Sequence, residues 1–279
     1  MNALLSRYGW MRLTLIILLA AGLPQPGRAA SDENFRVCAD PVNPPFSDRQ
    51  DRGFENKIAH LFAEKLGRSV AYTWFPQRIG FIRNTLKSWD EEQGRFLCDY
   101  VMGVPAHYDL TITTKPYYHS VYALIYAKGR GWDDIKSPGD LSAIDEQRKQ
   151  RLRIAMFDRG PGTSWIVKHG LVKQGVPYQS MPGDANINPA IEIERDLKQG
   201  VIDMAILWGP MAGYIDMNNP QAFTMLPMPT EPGIKFDYAI AMGVRHPDKA
   251  RRDELDRLIV ELSDQIDSIL REYHVPLVR

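Results

Sequence analysis

The side chains that most often perform catalysis or bind metals do not form a catalytic or metal-binding motif in this sequence. The six histidines stand at 60, 107, 119, 169, 246 and 274, without an HExxH pair or a cluster with cysteine. No acidic loop has the spacing of an EF-hand calcium site, and neither a GxSxG nor a GxxxxGK segment occurs. These missing motifs favour a binding protein over an enzyme, and we expect no metal and no cofactor.

One segment could hold an anion. Gly160-Pro-Gly-Thr-Ser164 precedes a helix that is predicted to begin at Thr163 or Ser164, and a helix N-terminus offers free N–H groups. A plain strand-to-helix turn is the commoner meaning of this pattern. The acidic pairs Asp133-Asp134 and Asp48/Asp51 are expected to be solvated loop charges rather than metal ligands.

Cys38 and Cys98 are the two cysteines of the chain. In an oxidising compartment an even pair indicates a disulfide, and two buried thiols are the alternative. Neither residue has a CxxC context or a histidine nearby in sequence, which argues against a catalytic thiol.

Two similar series of strands and helices must position these side chains. The first series has predicted strands over 35–39, 70–75 and 99–104, with helices over 54–66 and 78–89. The second series has strands over 153–158 and 203–207, with helices after Gly162 and from Asn188 to Lys198. Because both series follow the same order, the sequence predicts two α/β lobes, each with a parallel sheet covered by helices.

Two extended segments are predicted to carry the chain between the lobes. Residues 117–128 and 234–244 are rich in β-branched and aromatic residues and lack a helical period. The tail from Asp248 to Tyr273 is predicted to be one helix with a continuous apolar stripe, and a coiled coil is the alternative.

The first 29 residues have the pattern of a secretory signal peptide. Arg7 and Arg12 precede an apolar run over 13–23, and Gly27-Arg28-Ala29 has the small-x-small pattern of a cleavage site. The run is about half as long as a membrane span, and an uncleaved anchor is the alternative interpretation. We expect export, to the periplasm if the cell is Gram-negative, and no membrane span after cleavage.

Composition and charge exclude several classes of protein. Of the 279 residues, 44% are hydrophobic and 24% are charged, which is typical of a globular protein and excludes a disordered or collagen-like chain. The 34 basic residues balance the 34 acidic ones, so losing the three arginines of the leader leaves a small acidic excess. Such a balance argues against nucleic-acid binding and against a polybasic membrane patch.

The order of several short segments resembles that of the amino-acid-type periplasmic solute-binding proteins of ABC transporters. These segments are Arg36-Val-Cys-Ala-Asp-Pro41, Pro44-Pro-Phe46, Gly53-Phe54, Lys65-Leu-Gly67, Cys98-Asp99, Pro116-Tyr-Tyr118 and Asp140-Leu141. Longer stretches resemble the quinoprotein-dehydrogenase-associated branch of that family, the MxaJ/XoxJ type. They are Gly53-Phe-Glu-Asn56, Tyr72-Thr-Trp-Phe-Pro-Gln-Arg78, Arg83-Asn-Thr-Leu86, Cys98-Asp-Tyr-Val-Met-Gly-Val-Pro105 and Thr114-Lys-Pro-Tyr-Tyr118.

The resemblance covers nearly the whole mature chain and implies a fold. It is an α/β fold of the periplasmic binding protein-like type II, with two lobes, a two-strand hinge and a ligand cleft at the strand C-termini. Residues 1–29 are then the signal peptide, residues 30–118 with 237–279 form lobe 1, and residues 119–236 form lobe 2.

The resemblance also implies a function. Members of this branch are encoded beside PQQ-dependent methanol dehydrogenases, so we expect a monomeric, non-enzymatic periplasmic accessory that aids maturation or activation of that dehydrogenase. A receptor that delivers a non-amino-acid solute to an ABC transporter is the alternative. A lytic or dehydratase-like enzyme would need Glu55 or Lys115 at the cleft, whereas we expect these residues at a helix start and in a loop.

The residues that would anchor an amino acid are replaced in this sequence. In the amino-acid binders an arginine of the first lobe clamps the ligand carboxylate, and an aspartate of the second lobe takes the ammonium. Counting along the matching segments places His107 and Trp208 at these two positions. Losing both counter-charges leaves a zwitterion without buried partners, so a free α-amino acid should bind poorly.

The candidate cleft residues are mostly aromatic and polar. They form either a groove for a protein segment, since Trp, Tyr and Arg dominate interface hot spots, or a site for an unidentified flat, acidic small molecule held by Arg78 and the Thr163/Ser164 helix end. Half of the rings are expected to be core, and Trp74 is the first candidate for that. The cleft candidates are Asp40, Asn43, Arg78, His107, Tyr108, Tyr117, Tyr118, Thr163, Ser164, Trp165 and Trp208.

Overall fold

The strands and helices follow the order that the sequence predicts, with several changed boundaries. The computed structural model describes residues 33–184 and 186–278, so the predicted signal peptide lies outside the described residues. The strands are β1 (Asn34–Ala39), β2 (Val42–Asn43), β3 (Ser47–Asp48), β4 (Ser69–Trp74), β5 (Trp89–Asp90), β6 (Arg95–Phe96), β7 (Tyr100–Pro105), β8 (Ile112–Thr113), β9 (Tyr118–Val121), β10 (Ala123–Ala127), β11 (Ile154–Phe157), β12 (Gly175–Tyr178), β13 (Met204–Leu207), β14 (Phe223–Pro227) and β15 (Asp237–Val244). The helices are α1 (Phe54–Lys65), α2 (Phe81–Asn84), α3 (Glu146–Arg151), α4 (Pro161–Lys168), α5 (Pro189–Gln199), α6 (Gly209–Asn218), α7 (Lys249–Glu261) and α8 (Ser263–Glu272), with 3-10 turns at Pro138–Ser142 and Val172–Gln174.

Two sheets divide the strands between two lobes. The lobe 1 sheet has the order β4-β1-β7-β15-β8, and β9 also pairs with β15. The lobe 2 sheet has the order β12-β11-β13-β10-β14. Both sheets are mixed rather than purely parallel, because β15 runs antiparallel to β7 and β10 runs antiparallel to β13. The domain limits at 118/119 and 236/237 stay predictions.

Helices cover both faces of each sheet. In lobe 1, α1, α7 and α8 pack on one face around buried Phe35, Phe62 and Tyr100, and α2 covers the other face beside Cys38 and Cys98. Within α1 the buried residues Phe54, Ile58 and Phe62 recur every four positions, which is the stripe expected of a helix on a sheet. In lobe 2, α4 contributes to one core layer, and α5 and α6 contribute to the other.

The chain crosses between the sheets at Tyr122 and returns through residues 228–236. The backbone N–H of Tyr122 donates to the carbonyl of Phe236 at 2.9 Å, and the backbone N–H of Met228 donates to the carbonyl of Tyr122 at 2.8 Å. The two connections are therefore hydrogen-bonded side by side, as the expected two-strand hinge requires.

A third segment also reaches both lobes. After α8 the chain runs along β9, where the N–H of Val278 donates to the carbonyl of His119 at 2.9 Å and Ser120 Oγ donates to the carbonyl of Pro276 at 2.8 Å. The same segment touches α6 of lobe 2, since His274 Nδ1 lies 2.8 Å from Asp216 Oδ2. We call residues 274–278 the C-terminal strap.

Two predicted helices differ from the sequence expectation. The helix predicted over 78–89 is confined to α2, because Thr85 leaves the helical region and its Oγ1 donates back to the carbonyl of Phe81 at 2.6 Å. The single helix predicted over 248–273 is two helices that meet at Leu262. Leu258, Leu262 and Ile266 still pack in the same core. The apolar stripe was therefore predicted correctly, whereas the prediction of one uninterrupted helix was wrong.

Within the described ranges, 33–184 and 186–278, no helix is long and apolar enough to cross a membrane.

Candidate functional site

The carboxyl ends of the parallel strands of both lobes lie at the same cleft, and hydrogen bonds connect the loops that follow them. On the lobe 1 side, Asp40 follows β1 directly, Asn43 lies in β2, and the loop after β4 contains Gln77 and Arg78. On the lobe 2 side, residues 179–184 and 186–188 follow β12. Open α/β sheets place their ligand sites at this edge.

Asp40 and Asn43 hold the cleft loops together. Buried Asp40 accepts hydrogen bonds from the backbone N–H groups of Val42 at 2.8 Å and Gln77 at 2.6 Å, so both carboxylate oxygens are engaged within lobe 1. Asn43 donates to the side chain of Gln77 at 2.9 Å and accepts from Asn188 Nδ2 of lobe 2 at 3.3 Å. These side chains therefore brace loops in this conformation rather than offering open ligand contacts.

Arg78 reaches across the cleft to lobe 2. Its Nε donates to the carbonyl of Pro182 at 3.1 Å, and its Nη2 donates to the carbonyl of Ile187 at 3.4 Å. We call this pair of contacts the Arg78 latch. The guanidinium that the sequence suggested for an acidic ligand is therefore directed at main-chain oxygens of the other lobe.

Three aromatic rings form the inner wall of the cleft next to the hinge. The ring centroid of Trp208 lies 5.3 Å from that of Tyr122 and 5.9 Å from that of Tyr238. Burial raises the pKa of Tyr122 to about 12, so this hydroxyl stays neutral. At position 208 this wall presents an indole ring.

A small cavity lies between these rings and the N-terminus of α4. It has a volume of about 110 Å³ and is lined by Phe157, Thr163 and Trp208 among other mostly apolar groups, with Arg159 as its charged lining residue. The hydroxyls predicted to meet an anion are already engaged, because Thr163 donates to the carbonyl of Phe157 at 2.6 Å and Ser164 to that of Gly160 at 3.3 Å. α4 itself begins at Pro161, two or three residues before the predicted start at Thr163 or Ser164.

His107 and Tyr108 follow β7. His107 is exposed and has a positive φ of 65°, a backbone conformation that non-glycine residues adopt infrequently. Tyr108 is half-buried and lines a groove at the cleft mouth.

Three predicted cleft residues are core residues instead. Trp165 has no exposed surface, stacks on His169 at 4.1 Å, and donates from Nε1 to Glu231 at 2.7 Å. Tyr117 and Tyr118 are buried in the lobe 1 core, where burial raises the pKa of both hydroxyls. Both rings pack in the layer between the sheet and the helices of lobe 1, because β9 and Tyr117 pair with β15. That pairing is a long-range contact that the local sequence does not specify. Trp74, the expected core residue, is half-buried and stacks on Tyr72.

The carboxylate of Glu231 is surrounded by donors on the surface of lobe 2. Lys168 Nζ lies 2.8 Å from it, and the hydrogen bond with Lys168, followed by those with His169 and Trp165, lowers the pKa of Glu231 to about 2. The cluster fixes the returning connection 228–236 to α4.

Glu55 and Lys115 have the local positions that the sequence predicts. Glu55 lies in the first turn of α1, and Lys115 lies in the loop between β8 and β9. Glu55 is only 8% exposed, and a Cβ added at Gly103 would meet its Oε1 at 2.2 Å. Gly103 has a φ of 64°, so both its conformation and this approach exclude a larger residue.

Cys38 and Cys98 form a disulfide, with Cα atoms 5.5 Å apart. It links Cys38, near the C-terminal end of β1, to the residue pair before β7. In the part of the chain that the structure describes, no group of three His, Cys, Asp or Glu side chains could hold a metal ion.

Sequence reasoning missed Tyr122, Tyr238, Asn188 and Ile79. Tyr122 and Tyr238 lie in the two predicted hinge segments, so their type and position were a usable signal for cleft residues. Asn188 was recognised as a helix N-cap, which the structure bears out, but its contact with Asn43 spans 145 positions and has no local signal.

No protein-family model matches the chain. The crystal structure of the periplasmic binding protein XoxJ from Methylobacterium extorquens AM1 is 31% identical, with a TM-score of 0.68, and the match covers 88% of this chain and 99% of that one.

The chain belongs to the MxaJ/XoxJ type of periplasmic binding proteins.

Two further proteins of this type are also similar to the chain. MxaJ from Methlophaga aminisulfidivorans MPT is 21% identical with a TM-score of 0.70, and the match covers 88% of this chain and 100% of that one. Protein MoxJ from Paracoccus denitrificans is 27% identical over 274 residues, which cover 93% of this chain and 95% of that protein. The family has the predicted type II periplasmic binding protein fold, and the two mixed sheets with their paired connections are its two lobes and hinge.

Proposed function

We propose that this protein is a non-enzymatic, monomeric periplasmic accessory of a PQQ-dependent methanol dehydrogenase, and that it aids maturation or activation of that enzyme. Residues 1–29 direct export and are removed. The mature chain then has residues 30–118 and 237–279 as lobe 1 and residues 119–236 as lobe 2. The resemblance to the MxaJ/XoxJ type implies the dehydrogenase as partner.

The observation that carries this proposal is the chemistry of the cleft. Trp208 contributes a ring to the cleft wall, and Arg78 is directed at carbonyls of the facing lobe. Counting along the matching segments aligns His107 and Trp208 with the two charged anchors of an amino-acid binder. A zwitterion buried here would lose hydration without gaining paired counter-charges, which costs several kcal/mol (about 2–7 even for a neutral polar group). A receptor for amino acids is therefore disfavoured, whereas an aromatic, Arg-containing cleft suits a protein surface.

A titration with amino acids tests whether the cleft binds them poorly. We expect none of the common α-amino acids to bind with a dissociation constant below about 1 mM, which corresponds to about 4 kcal/mol of binding free energy. Calorimetry with the purified mature protein would measure it. Micromolar binding of any amino acid would contradict the proposal.

Deletion of the gene tests whether the protein serves methanol dehydrogenase in the cell. A deletion strain should accumulate methanol dehydrogenase polypeptide with reduced specific activity, and the purified protein should bind the dehydrogenase directly. Normal dehydrogenase activity in the deletion strain together with no binding would overturn the proposal.

A receptor for a small non-amino-acid solute is the second candidate, and the cavity beside Trp208 favours it. Its volume of about 110 Å³ and mostly apolar lining suit a small uncharged solute. A solute that binds the folded state raises the melting temperature by mass action, so a thermal-shift screen of such compounds separates the two functions. A strong shift with one solute, and an unaffected dehydrogenase in the deletion strain, would favour transport.

A further inference from the structure

A groove at the cleft mouth exposes apolar side chains that no other part of the described structure covers. It has a volume of about 510 Å³, and its floor is formed by the end of β7 and by α2, while Met181 of lobe 2 contributes to its rim. We call it the mouth groove. It lies beside the Arg78 latch, so it is continuous with the cleft.

Three rim residues of the mouth groove are apolar and exposed. Ile79 is 87% exposed, and Leu110 and Met181 are each 46% exposed. Ile79 lies at the tip of a turn in which the N–H of Phe81 donates to the carbonyl of Arg78 at 3.0 Å, so the backbone holds it away from the core. Scattered exposed apolar residues are ordinary, but three that converge on one concave site indicate an interaction surface.

The charges of the mouth groove have one sign. Arg78 and Arg83 line it, and no carboxylate does. Among residues 33–184 and 186–278, the guanidinium of Arg83 has no ion-pair or hydrogen-bond partner, and the side chain is exposed. A ligand that buries this groove must therefore supply a negative group near Arg83, since a desolvated, unpaired charge is costly.

We infer that the mouth groove binds a segment of a partner protein in which apolar side chains flank a carboxylate. The apolar side chains contact Ile79, Leu110 and Met181, and the carboxylate pairs with Arg83. Its concave shape favours a polypeptide over a flat membrane surface. The inference rests on the proposed function, because the partner is the dehydrogenase, and it adds the surface and the chemistry of the bound segment.

Binding of the cognate methanol dehydrogenase to surface variants tests this inference. We expect I79D, L110D and R83E each to weaken binding about tenfold or more, as truncation or reversal at an interface centre does. R83K should retain most of the affinity. Because the changed side chains are exposed, the variants should keep the wild-type melting temperature, which is measured alongside.

Matched controls come from the opposite side of the lobe 1 sheet. Val260 and Arg257 are exposed on α7, and V260D and R257E introduce the same changes of polarity and charge there. Both controls should bind within twofold of the wild type. Raising the salt concentration should weaken wild-type binding more than binding by R83E, since screening acts on the ion pair.

The outcomes separate the inference from the proposed function. If the wild type binds the dehydrogenase and the three variants bind equally well, the mouth groove is not the contact surface, although the accessory function stands. If the wild type does not bind at all, the inference fails, and normal dehydrogenase activity in the deletion strain would then overturn the proposed function as well. If the wild type binds vesicles of phosphatidylglycerol and I79D does not, the groove contacts a membrane and the inference is overturned.

Discussion

Burial decides the state of one carboxyl group at the start of α1. A helix N-terminus favours a negative charge by up to about 2 kcal/mol, whereas desolvating a carboxylate costs several kcal/mol. For Glu55 desolvation prevails, and burial raises its pKa from 4.5 to about 8. The carboxyl is therefore mostly protonated at neutral pH, beneath Gly103 and beside Tyr117 and Tyr118.

Replacing Glu55 by glutamine should change how stability depends on pH. The folded state binds this proton more tightly than the unfolded state does, so protonation of Glu55 stabilises the fold. The stabilisation is complete below pH 4.5 and is lost as the pH rises from 4.5 to 8. The free energy of unfolding of the wild type should therefore fall relative to that of E55Q over this range, by at most about 5 kcal/mol at 1.36 kcal/mol per pKa unit. Urea denaturation at pH 5, 7 and 9 measures the difference.

The exposed Glu64 on the same helix provides the control. The profile of E64Q should run parallel to that of the wild type. Parallel profiles for E55Q and the wild type would show that Glu55 ionises normally in the folded state.

At the scale of elements, one covalent bond and one close packing contact determine how strands and helices pack. The disulfide joins β1 to the segment before β7 across 60 positions of sequence. The strap packs so closely on α6 that a Cβ added at Gly213 would lie 2.3 Å from the carbonyl oxygen of His274.

Removing the disulfide should destabilise lobe 1 strongly. A closed loop of about 60 residues lowers the entropy of the unfolded chain by an amount worth about 4 kcal/mol at 25 °C in the loop-entropy description. The C38A/C98A variant should unfold at lower urea concentration by that difference in free energy. An unchanged unfolding free energy would contradict the prediction, and the wild type in a reducing agent provides an independent comparison.

Gly213→Ala should destabilise the protein although it improves helix propensity. In an open helix this change stabilises by about 1 kcal/mol. Against the strap it forces a backbone shift, which costs about 1–3 kcal/mol. Gly139, whose added Cβ would meet only Ser137 Oγ at 3.7 Å, provides the control. Thermal unfolding measures both variants, and a G213A protein more stable than the wild type would contradict the close packing.

At the scale of the whole molecule, the lobes are connected by more than the hinge. The Arg78 latch and the contact between Asn43 and Asn188 close the cleft at its mouth, and the strap joins α8 to α6 behind the hinge. Residues 33–278 accordingly lie in one compact unit. Opening the cleft must break the latch while the strap limits the rotation.

Arg78→Ala should therefore shift the population toward an open cleft. Two hydrogen bonds from a partly exposed guanidinium contribute about 1–2 kcal/mol, so the ratio of open to closed molecules should rise about tenfold. Small-angle X-ray scattering should show a larger radius of gyration. R83A changes a neighbouring arginine without an inter-lobe bond and should leave the radius unchanged. Equal radii for R78A and the wild type would contradict the latch.

Local patterns were sufficient for much of the fold. The strands β1, β4 and β7, the helix α1 and the N-cap of α5 were predicted from periodicity and capping, because these signals span a few neighbouring residues. The helix predicted over 78–89 was wrong, since Thr85 bonds back to Phe81 in a way that the apolar spacing does not reveal. The predicted cleft residues include both cleft and core residues, because local spacing does not show which side of a sheet a ring will face. Asn43, Arg78 and Trp208 lie at the cleft, whereas Trp165, Tyr117 and Tyr118 are core.

By itself, the sequence determined the order of the two α/β lobes, and the resemblance of its short segments to a known family indicated the type of fold. These properties depend on residue type and short-range spacing. The tertiary structure alone decided that Arg78 closes on lobe 2, that the strap joins α6, and that Ile79, Leu110 and Met181 surround one groove. These contacts join residues from about 30 to more than 100 positions apart, and their geometry depends on how both sheets twist and pack, which no local pattern records.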